Sequence, residues 1–179
     1  VGVGFRAGYY TTGSYNTFVG SLAGQGGTSS APYSSGTNNV AVGYNALGGF
    51  TTGGDNIAIG YQAGDAITTA AANIAIGSLA AGALTTGGDN IVIGYAALQS
   101  ADGAEDNNIV IGTGAGQNIN NDASDDNVFI GTYAGRGGTG ELDRCVAIGY
   151  QAMDGTGTVS AQQNIFIGDN AGGGSWTTA

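Results

Sequence analysis

A short unit recurs ten times along the chain and constrains its fold more than any other feature. The unit reads Asn, an apolar triplet such as Ile-Ala-Ile, Gly, two variable residues and Ala. Tandem units of this size are typical of a solenoid, in which each copy forms one coil and buries apolar residues against its neighbours. The repeated glycines, spaced 16 to 23 residues apart, are Gly4, Gly20, Gly43, Gly60, Gly77, Gly94, Gly112, Gly131, Gly149 and Gly168.

Each unit supplies one short strand and the turns around it. The second and fourth positions, such as Ile57 and Ile59, are nearly always β-branched, and a spacing of two places them on one strand face. We expect the recurring Ala, three residues after the Gly, to point from a second short strand into a narrow core. The sequence therefore predicts an all-β parallel solenoid of about ten coils, forming one continuous repeat domain over residues 1–179. Because the chain opens without Met, we expect it to be a fragment of a longer fibre protein.

An Asn stands four residues before nearly every repeated Gly. Stacked Asn side chains form ladders of amide hydrogen bonds along parallel coils, so we expect such a ladder at one corner of the solenoid. Cys145 replaces the Asn in one unit and is expected to be a buried, inert thiol. The predicted ladder comprises Asn39, Asn56, Asn73, Asn90, Asn108, Asn127 and Asn164.

The third position of the triplet is apolar as well. It faces away from the second and fourth positions, so in a lone solenoid it would meet water. We expect this face to be covered by further copies of the chain in a parallel homo-oligomer, most simply a homotrimer. The predicted trimer-interface residues are Phe18, Ala41, Ala58, Ala75, Val92, Val110, Phe129, Ala147 and Phe166.

The charge balance limits the partners and the chemistry. The chain has 13 Asp and Glu against three Arg, with no Lys and no His, and its net charge is −10. Nucleic acid and anionic membranes are therefore excluded as partners, because both require a basic surface. Without His or Lys there is no usual base for a serine nucleophile, and zinc lacks a His or a Cys pair. We expect no enzymatic activity and no cofactor.

Carboxylates in the variable turns leave two alternatives open. Paired carboxylates hydrolyse polysaccharides, and oxygen-rich acidic turns bind calcium, although solvated turn residues are the simpler interpretation. A third alternative, a monomeric solenoid that binds a flat repetitive ligand such as ice, would need a regular outward Thr array. The Thr pairs, as at Thr51 and Thr85, read as irregular turn residues. The calcium candidates are Asp102, Glu105, Asp106, Asp122, Asp125 and Asp126.

Aromatic residues and one long insertion are the remaining candidates for contacts. Tyr44, Tyr61, Tyr95 and Tyr150 follow directly after a repeated Gly, where they either pack over the next coil or stack on sugar rings. Loops that project from a regular scaffold often carry function, and the longest insertion, residues 24–37, is the predicted place for a receptor contact.

The segments NNVAVGYNAL (38–47), NIAIGYQAG (56–64) and CVAIGYQAM (145–153) resemble a known repeat family. They are similar to the repeats of YadA-type heads in trimeric autotransporter adhesins, and more similar still to repeats of phage tail fibres. The resemblance implies a left-handed parallel β-roll with three intertwined or side-by-side chains, located in a virion tail fibre or at a cell surface. It further implies attachment to host-surface glycans or receptors. Coils longer than those of the adhesin heads favour a tail fibre, and an adhesin head is the alternative.

Overall fold

The computed structural model describes residues 1–27, 30, 33–101 and 103–174. The calcium candidate Asp102 lies outside the described residues, as do residues 28, 29, 31 and 32 of the predicted contact loop. The described residues contain strands, turns and bends but no helix, and they form a parallel β-solenoid of about nine turns. This confirms the predicted all-β solenoid. The left-handed sense, which rests on the family resemblance, stays a prediction.

Ten of the twelve strands in the described residues stack in parallel into one sheet along the solenoid. Their order follows the chain, with one strand contributed by each coil. The remaining two, β9 (Leu142–Asp143) and β11 (Ala161–Gln162), form a separate parallel pair near the end of the described chain. The stacked strands are β1 (Gly2–Val3), β2 (Thr17–Val19), β3 (Val40–Val42), β4 (Ile57–Ile59), β5 (Ile74–Ile76), β6 (Ile91–Ile93), β7 (Ile109–Ile111), β8 (Val128–Ile130), β10 (Val146–Ile148) and β12 (Ile165–Ile167).

Each strand of the long sheet is short because the backbone turns sharply at both ends. In β4, Asp55 lies two residues before the strand with a φ of 59°, and Gly60 follows it with a φ of 139°. A Cβ on Gly60 would lie 2.5 Å from the carbonyl oxygen of Gly77 in the next coil. The repeated Gly therefore meets two needs, a φ that L-residues rarely adopt and close contact between the backbones of stacked coils.

The recurring Ala is buried, but the second strand predicted around it is absent from the described residues, so that prediction is wrong. Ala63 is fully buried within a turn that contains Gln62 at a φ of 51°, and the same turn recurs along the solenoid. The second strands found within the described residues, β9 and β11, begin eight residues after Ala134 and nine residues after Ala152. The small methyl group fits a narrow core, whereas the left-handed residue beside it prevents an extended strand.

The prediction that the third positions of the strands face another chain is wrong. The third-position side chains lie inside the coil of their own chain: Val92 and Phe129 are fully buried, and Phe166 in the last strand is partly buried against the same core. They therefore cannot form the surface that meets another chain. The third-position residues, which face the core and not another chain, are Phe18, Ala41, Ala58, Ala75, Val92, Val110, Phe129, Ala147 and Phe166.

The core explains why the third position points inward. Apolar residues from the opposite side of each coil, such as Phe50, Ile67 and Leu84, are fully buried and fill the narrow interior. Successive strand residues alternate between faces, and the ladder Asn stands two residues before the third position. Asn56 and Ala58 therefore point inward together, while Ile57 and Ile59 point outward.

Candidate interaction surface

The outward positions of the strands form one continuous apolar surface, which we call the outer apolar face. Val and Ile at positions two and four line up in register from coil to coil, as in the pairing of Ile57 with Ile74 and of Ile59 with Ile76. Most of these side chains are half-buried, and Val19, Ile59, Ile165 and Ile167 are exposed. The face consists of Thr17, Val19, Val40, Val42, Ile57, Ile59, Ile74, Ile76, Ile91, Ile93, Ile109, Ile111, Val128, Ile130, Val146, Ile148, Ile165 and Ile167.

The outer apolar face carries no charged residue, and Thr17 is its only polar member in strands β2 to β12 of the long sheet. With nine strands about 4.8 Å apart, it extends for roughly 38 Å along the solenoid. A strip of this size is more apolar than the surfaces that monomeric proteins usually expose to water. Such a face can bury itself against another apolar surface, and it has no group that could do chemistry.

The Asn ladder is present inside the coils. Asn56 Oδ1 accepts hydrogen bonds from the backbone N–H of Asn73 at 3.0 Å and from its side-chain amide at 3.2 Å. Asn73 Nδ2 also donates to the Gly87 carbonyl across the coil at 2.9 Å. Equivalent bonds join Asn39, Asn56, Asn73, Asn90, Asn108 and Asn127. Asn16 precedes them, its Oδ1 accepting from the Asn39 backbone at 2.8 Å.

Cys145 interrupts this ladder. Its backbone N–H still donates to Asn127 Oδ1 at 2.9 Å, but its thiol offers only a weak acceptor to the next coil. Burial raises the pKa of the Cys145 thiol, and hydrogen bonds from Asn164 offset part of that rise. Asn164, the last predicted ladder residue, donates its amide to the Gln162 carbonyl at 2.9 Å. The protonated, buried thiol fits the prediction of an inert group.

The acidic turns use their carboxylates on the backbone. Asp106 Oδ1 accepts from the Gly88 N–H at 2.5 Å, and Asp125 Oδ1 accepts from the Asp106 N–H at 2.7 Å. Burial raises the pKa of Asp125, and the nearby carboxylates of Asp106 and Asp126 raise it further. Glu105 is fully buried and its carboxylate accepts from the Gly103 N–H at 3.3 Å.

These contacts do not assemble a calcium site from the candidates. Asp122 and Asp126 are exposed, whereas Glu105 is buried. In the part of the chain that the structure describes, no group of three or more His, Cys, Asp or Glu residues is placed to hold a metal ion. The carboxylates of Glu105, Asp106 and Asp125 contact turn backbone, and calcium binding at these turns stays a prediction.

The Thr pairs are arranged more regularly along the solenoid than the sequence predicts. Thr51 Oγ1 donates to the Thr68 carbonyl and Thr68 Oγ1 to the Thr85 carbonyl, both at 3.1 Å. Three successive coils therefore stack their Thr residues in one column. The hydroxyls of Thr51 and Thr68 therefore bond to the neighbouring coil and stabilise the stack.

The Tyr residues that follow the repeated Gly lie beside the outer apolar face and are exposed. Tyr44 and Tyr61 stack on each other in adjacent coils, with ring centroids 5.5 Å apart and ring planes 14° from parallel. Tyr95 and Tyr150 occupy the same place in later coils and are also exposed. The Tyr44 ring covers one face of the Tyr61 ring, and no aromatic ring of the described residues stacks on the other face.

The fold and these surfaces define the chain as a parallel β-solenoid with an apolar exterior strip. Comparison with protein-family models, curated proteins and solved structures gives no match. Within the described residues, no helix is long and apolar enough to cross a membrane.

Proposed function

We propose that this chain is a structural segment of an attachment fibre, in which three copies associate in parallel through the outer apolar face. The observation that carries the proposal is that face, a strip of Val and Ile along the whole stack of strands. The third positions, which the sequence predicted as the interface, lie in the core of each chain. The proposal keeps the trimer and moves its interface to the second and fourth positions.

The area of the face suits a stable assembly. A standard interface takes roughly 800 Å² and about 20–30 residues from each partner, and the eighteen outward β-branched side chains approach that number. Burying that apolar surface removes it from water, and the absence of charged groups avoids a desolvation penalty. Each chain has a net charge of −10, and no Asp or Glu of the described residues lies in the strands that form this face.

The regular spacing favours a second copy of the same chain as the partner. A parallel copy repeats its Val and Ile every strand spacing, so side chains of both copies interdigitate along the full length. Three such faces close around one axis and leave no apolar strip exposed. A trimeric rod of stacked coils is stiff and elongated, which suits a fibre that holds an attachment site away from a virion or cell.

The repeat resemblance gives the biological setting of the proposal. Repeats similar to this one occur in phage tail fibres and in heads of trimeric autotransporter adhesins, both of which are extracellular or virion attachment proteins. We favour the tail fibre because the coils are long, and we retain the adhesin head as the alternative. The role is mechanical and adhesive, without catalysis.

Light scattering on the full chain tests the assembly. The wild-type protein should have the mass of three chains. The triple variant Ile59→Thr, Ile76→Thr, Ile93→Thr should shift the mass towards one chain at low concentration. Thr is suitable because it is β-branched and already occupies the outward position of Thr17.

A matched control changes the exposed turn on another side of the coil. The triple variant Thr52→Ala, Thr69→Ala, Thr86→Ala should keep the wild-type mass, because those residues lie outside the outer apolar face. A wild-type protein that is monomeric at every concentration would contradict the proposal. So would a Thr52, Thr69, Thr86 variant that dissociates as readily as the Ile variant.

A further inference from the structure

The residue after each repeated Gly belongs to a column that runs along one edge of the outer apolar face. Its carbonyl accepts a backbone hydrogen bond of 2.9 Å from the next coil at Tyr44, Tyr61 and Ser78. These bonds set Tyr44, Tyr61, Ser78 and Tyr95 in four successive coils, one strand spacing apart. Along this column, the two stacked Tyr rings are followed by the small Ser78 side chain and then by the Tyr95 ring.

The missing ring at Ser78 leaves a gap of a defined size. The backbones at Tyr61 and Tyr95 are two coils apart, or about 9.6 Å, which is twice the spacing of stacked strands. One face of Tyr61 is covered by Tyr44, so its other face points along the column towards Ser78. Tyr61 is 53% exposed and Tyr95 is 58% exposed, so both rings are accessible from solvent.

We propose that Tyr61, Ser78 and Tyr95 form a slot that binds one ring of a neutral saccharide. A pyranose has apolar C–H faces that stack on aromatic rings, and its thickness matches the space of one absent ring. Its edge hydroxyls can exchange hydrogen bonds with the Ser78 hydroxyl and the two phenolic groups. Flat apolar walls with a few polar groups between them are the usual composition of a small-molecule site.

Charge selects neutral sugars over acidic ones. The chain has a net charge of −10, and the carboxylate of Asp65 accepts a hydrogen bond of 3.3 Å from Gln62, the residue after Tyr61. An anionic glycan would meet this negative potential without a compensating cation, since the three Arg residues lie at positions 6, 136 and 144. The slot is formed by a single chain, so the inference goes beyond the fibre proposal and does not depend on the trimer.

The test is a glycan array of neutral and acidic oligosaccharides, followed by calorimetric titration of the full chain with the strongest neutral binder. Saturation-transfer NMR with the same sugar would show contact with Tyr ring protons. Tyr95→Ser should weaken binding at least about tenfold by removing one stacking face. Ser78→Tyr should abolish binding by filling the gap, and it should fold normally because Tyr occupies this position in the two preceding coils.

Tyr150→Ser is the matched control. Tyr150 belongs to the same column and is 53% exposed, but Thr132 and Asp169 flank it, so it borders no gap between two rings. Its variant should bind as tightly as the wild type. The inference fails if no neutral sugar binds at millimolar concentration, if only acidic glycans bind, if Ser78→Tyr retains affinity, or if Tyr150→Ser loses as much affinity as Tyr95→Ser.

Discussion

Asn56 and Asn73 lie in adjacent coils, and the side-chain oxygen of the first accepts two hydrogen bonds from the second. These bonds come from the Asn73 backbone N–H at 3.0 Å and its amide nitrogen at 3.2 Å. Each ladder Asn thus replaces strand pairing at the point where the chain enters a strand, and it satisfies buried backbone groups of two coils.

Asn73→Ala should lower the free energy of unfolding by about 3 kcal/mol. The substitution leaves the Asn90 backbone N–H and the Gly87 carbonyl buried without their partners, and each such loss costs about 1–3 kcal/mol. Urea unfolding followed by circular dichroism measures the change. Asn118→Ala is the control: its side chain is exposed, so stability should change by less than about 0.5 kcal/mol. Equal effects of the two substitutions would show that the ladder contributes nothing specific.

Cys145→Asn should raise stability by about 1 kcal/mol, because it completes the ladder between Asn127 and Asn164. The new amide can donate to the Ala161 carbonyl, which the thiol now contacts at 3.3 Å, and its oxygen can accept from Asn164. Thermal unfolding of the variant and of Cys145→Ala separates the ladder effect from removal of the thiol. A lower melting temperature for the Asn variant than for the Ala variant would refute this explanation.

Gly60→Ala should destabilise the protein by about 3 kcal/mol or more, because it combines a forbidden φ with a clash. The added Cβ would lie 2.5 Å from the Gly77 carbonyl oxygen, and Gly60 has a φ of 139°. Gly82→Ala is the matched control, since its added Cβ would lie 3.3 Å from the nearest atom, the Leu79 oxygen. Chemical denaturation should show a small change for Gly82→Ala. A tolerated Gly60→Ala would contradict the close stacking of coils.

Asp125→Asn should raise the melting temperature at pH 7 and have little effect at pH 3. Burial raises the pKa of Asp125 above its ordinary value of 3.8, so the folded state holds this proton more tightly than the unfolded state. The ionised carboxylate therefore lowers stability above the raised pKa, and the penalty disappears as the pH falls below 3.8. The Asn oxygen can keep the bond to the Asp106 N–H.

Asp89→Asn supplies the charge control for this pH prediction. It removes one negative charge from an exposed turn residue, so its gain at pH 7 should be smaller than that of Asp125→Asn. Melting curves from pH 3 to pH 7 measure both variants. A gain for Asp125→Asn that does not vary with pH would show that burial of this carboxylate has no part in stability.

The stacking direction, the repeat boundaries and the Asn ladder could be predicted from the sequence, because each follows from residues that recur in every coil. The inward and outward faces could not be distinguished by apolarity, since both carry Val, Ile, Ala or Phe. The ladder Asn distinguishes the two faces, because its buried hydrogen bonds require the core. Asn56 and Ala58 are two residues apart and therefore share the inward face. Ile57, between them, must then point outward, which hydropathy alone does not indicate.

The turns were less predictable than the strands. Gln62 and Ala72 adopt positive φ values that neither residue type prefers, because stacking on the neighbouring coil overrides local preference. The column of Thr51, Thr68 and Thr85 was not predicted either, because its register depends on which residues of neighbouring coils are stacked. The slot at Ser78 likewise depends on which coils are adjacent.

Disulfide cross-linking from neighbouring positions tests the central claim most directly. Ile93 faces outward and Val92 inward, so Ile93→Cys and Val92→Cys, each combined with Cys145→Asn, place one thiol on either side of the same strand. Parallel association through the outer apolar face brings identical Ile93→Cys thiols together around the axis. Mild oxidation should then give covalently linked pairs of chains on a denaturing gel for Ile93→Cys, and single chains for Val92→Cys. Single chains for both variants, or linkage only through Val92→Cys, would contradict the account.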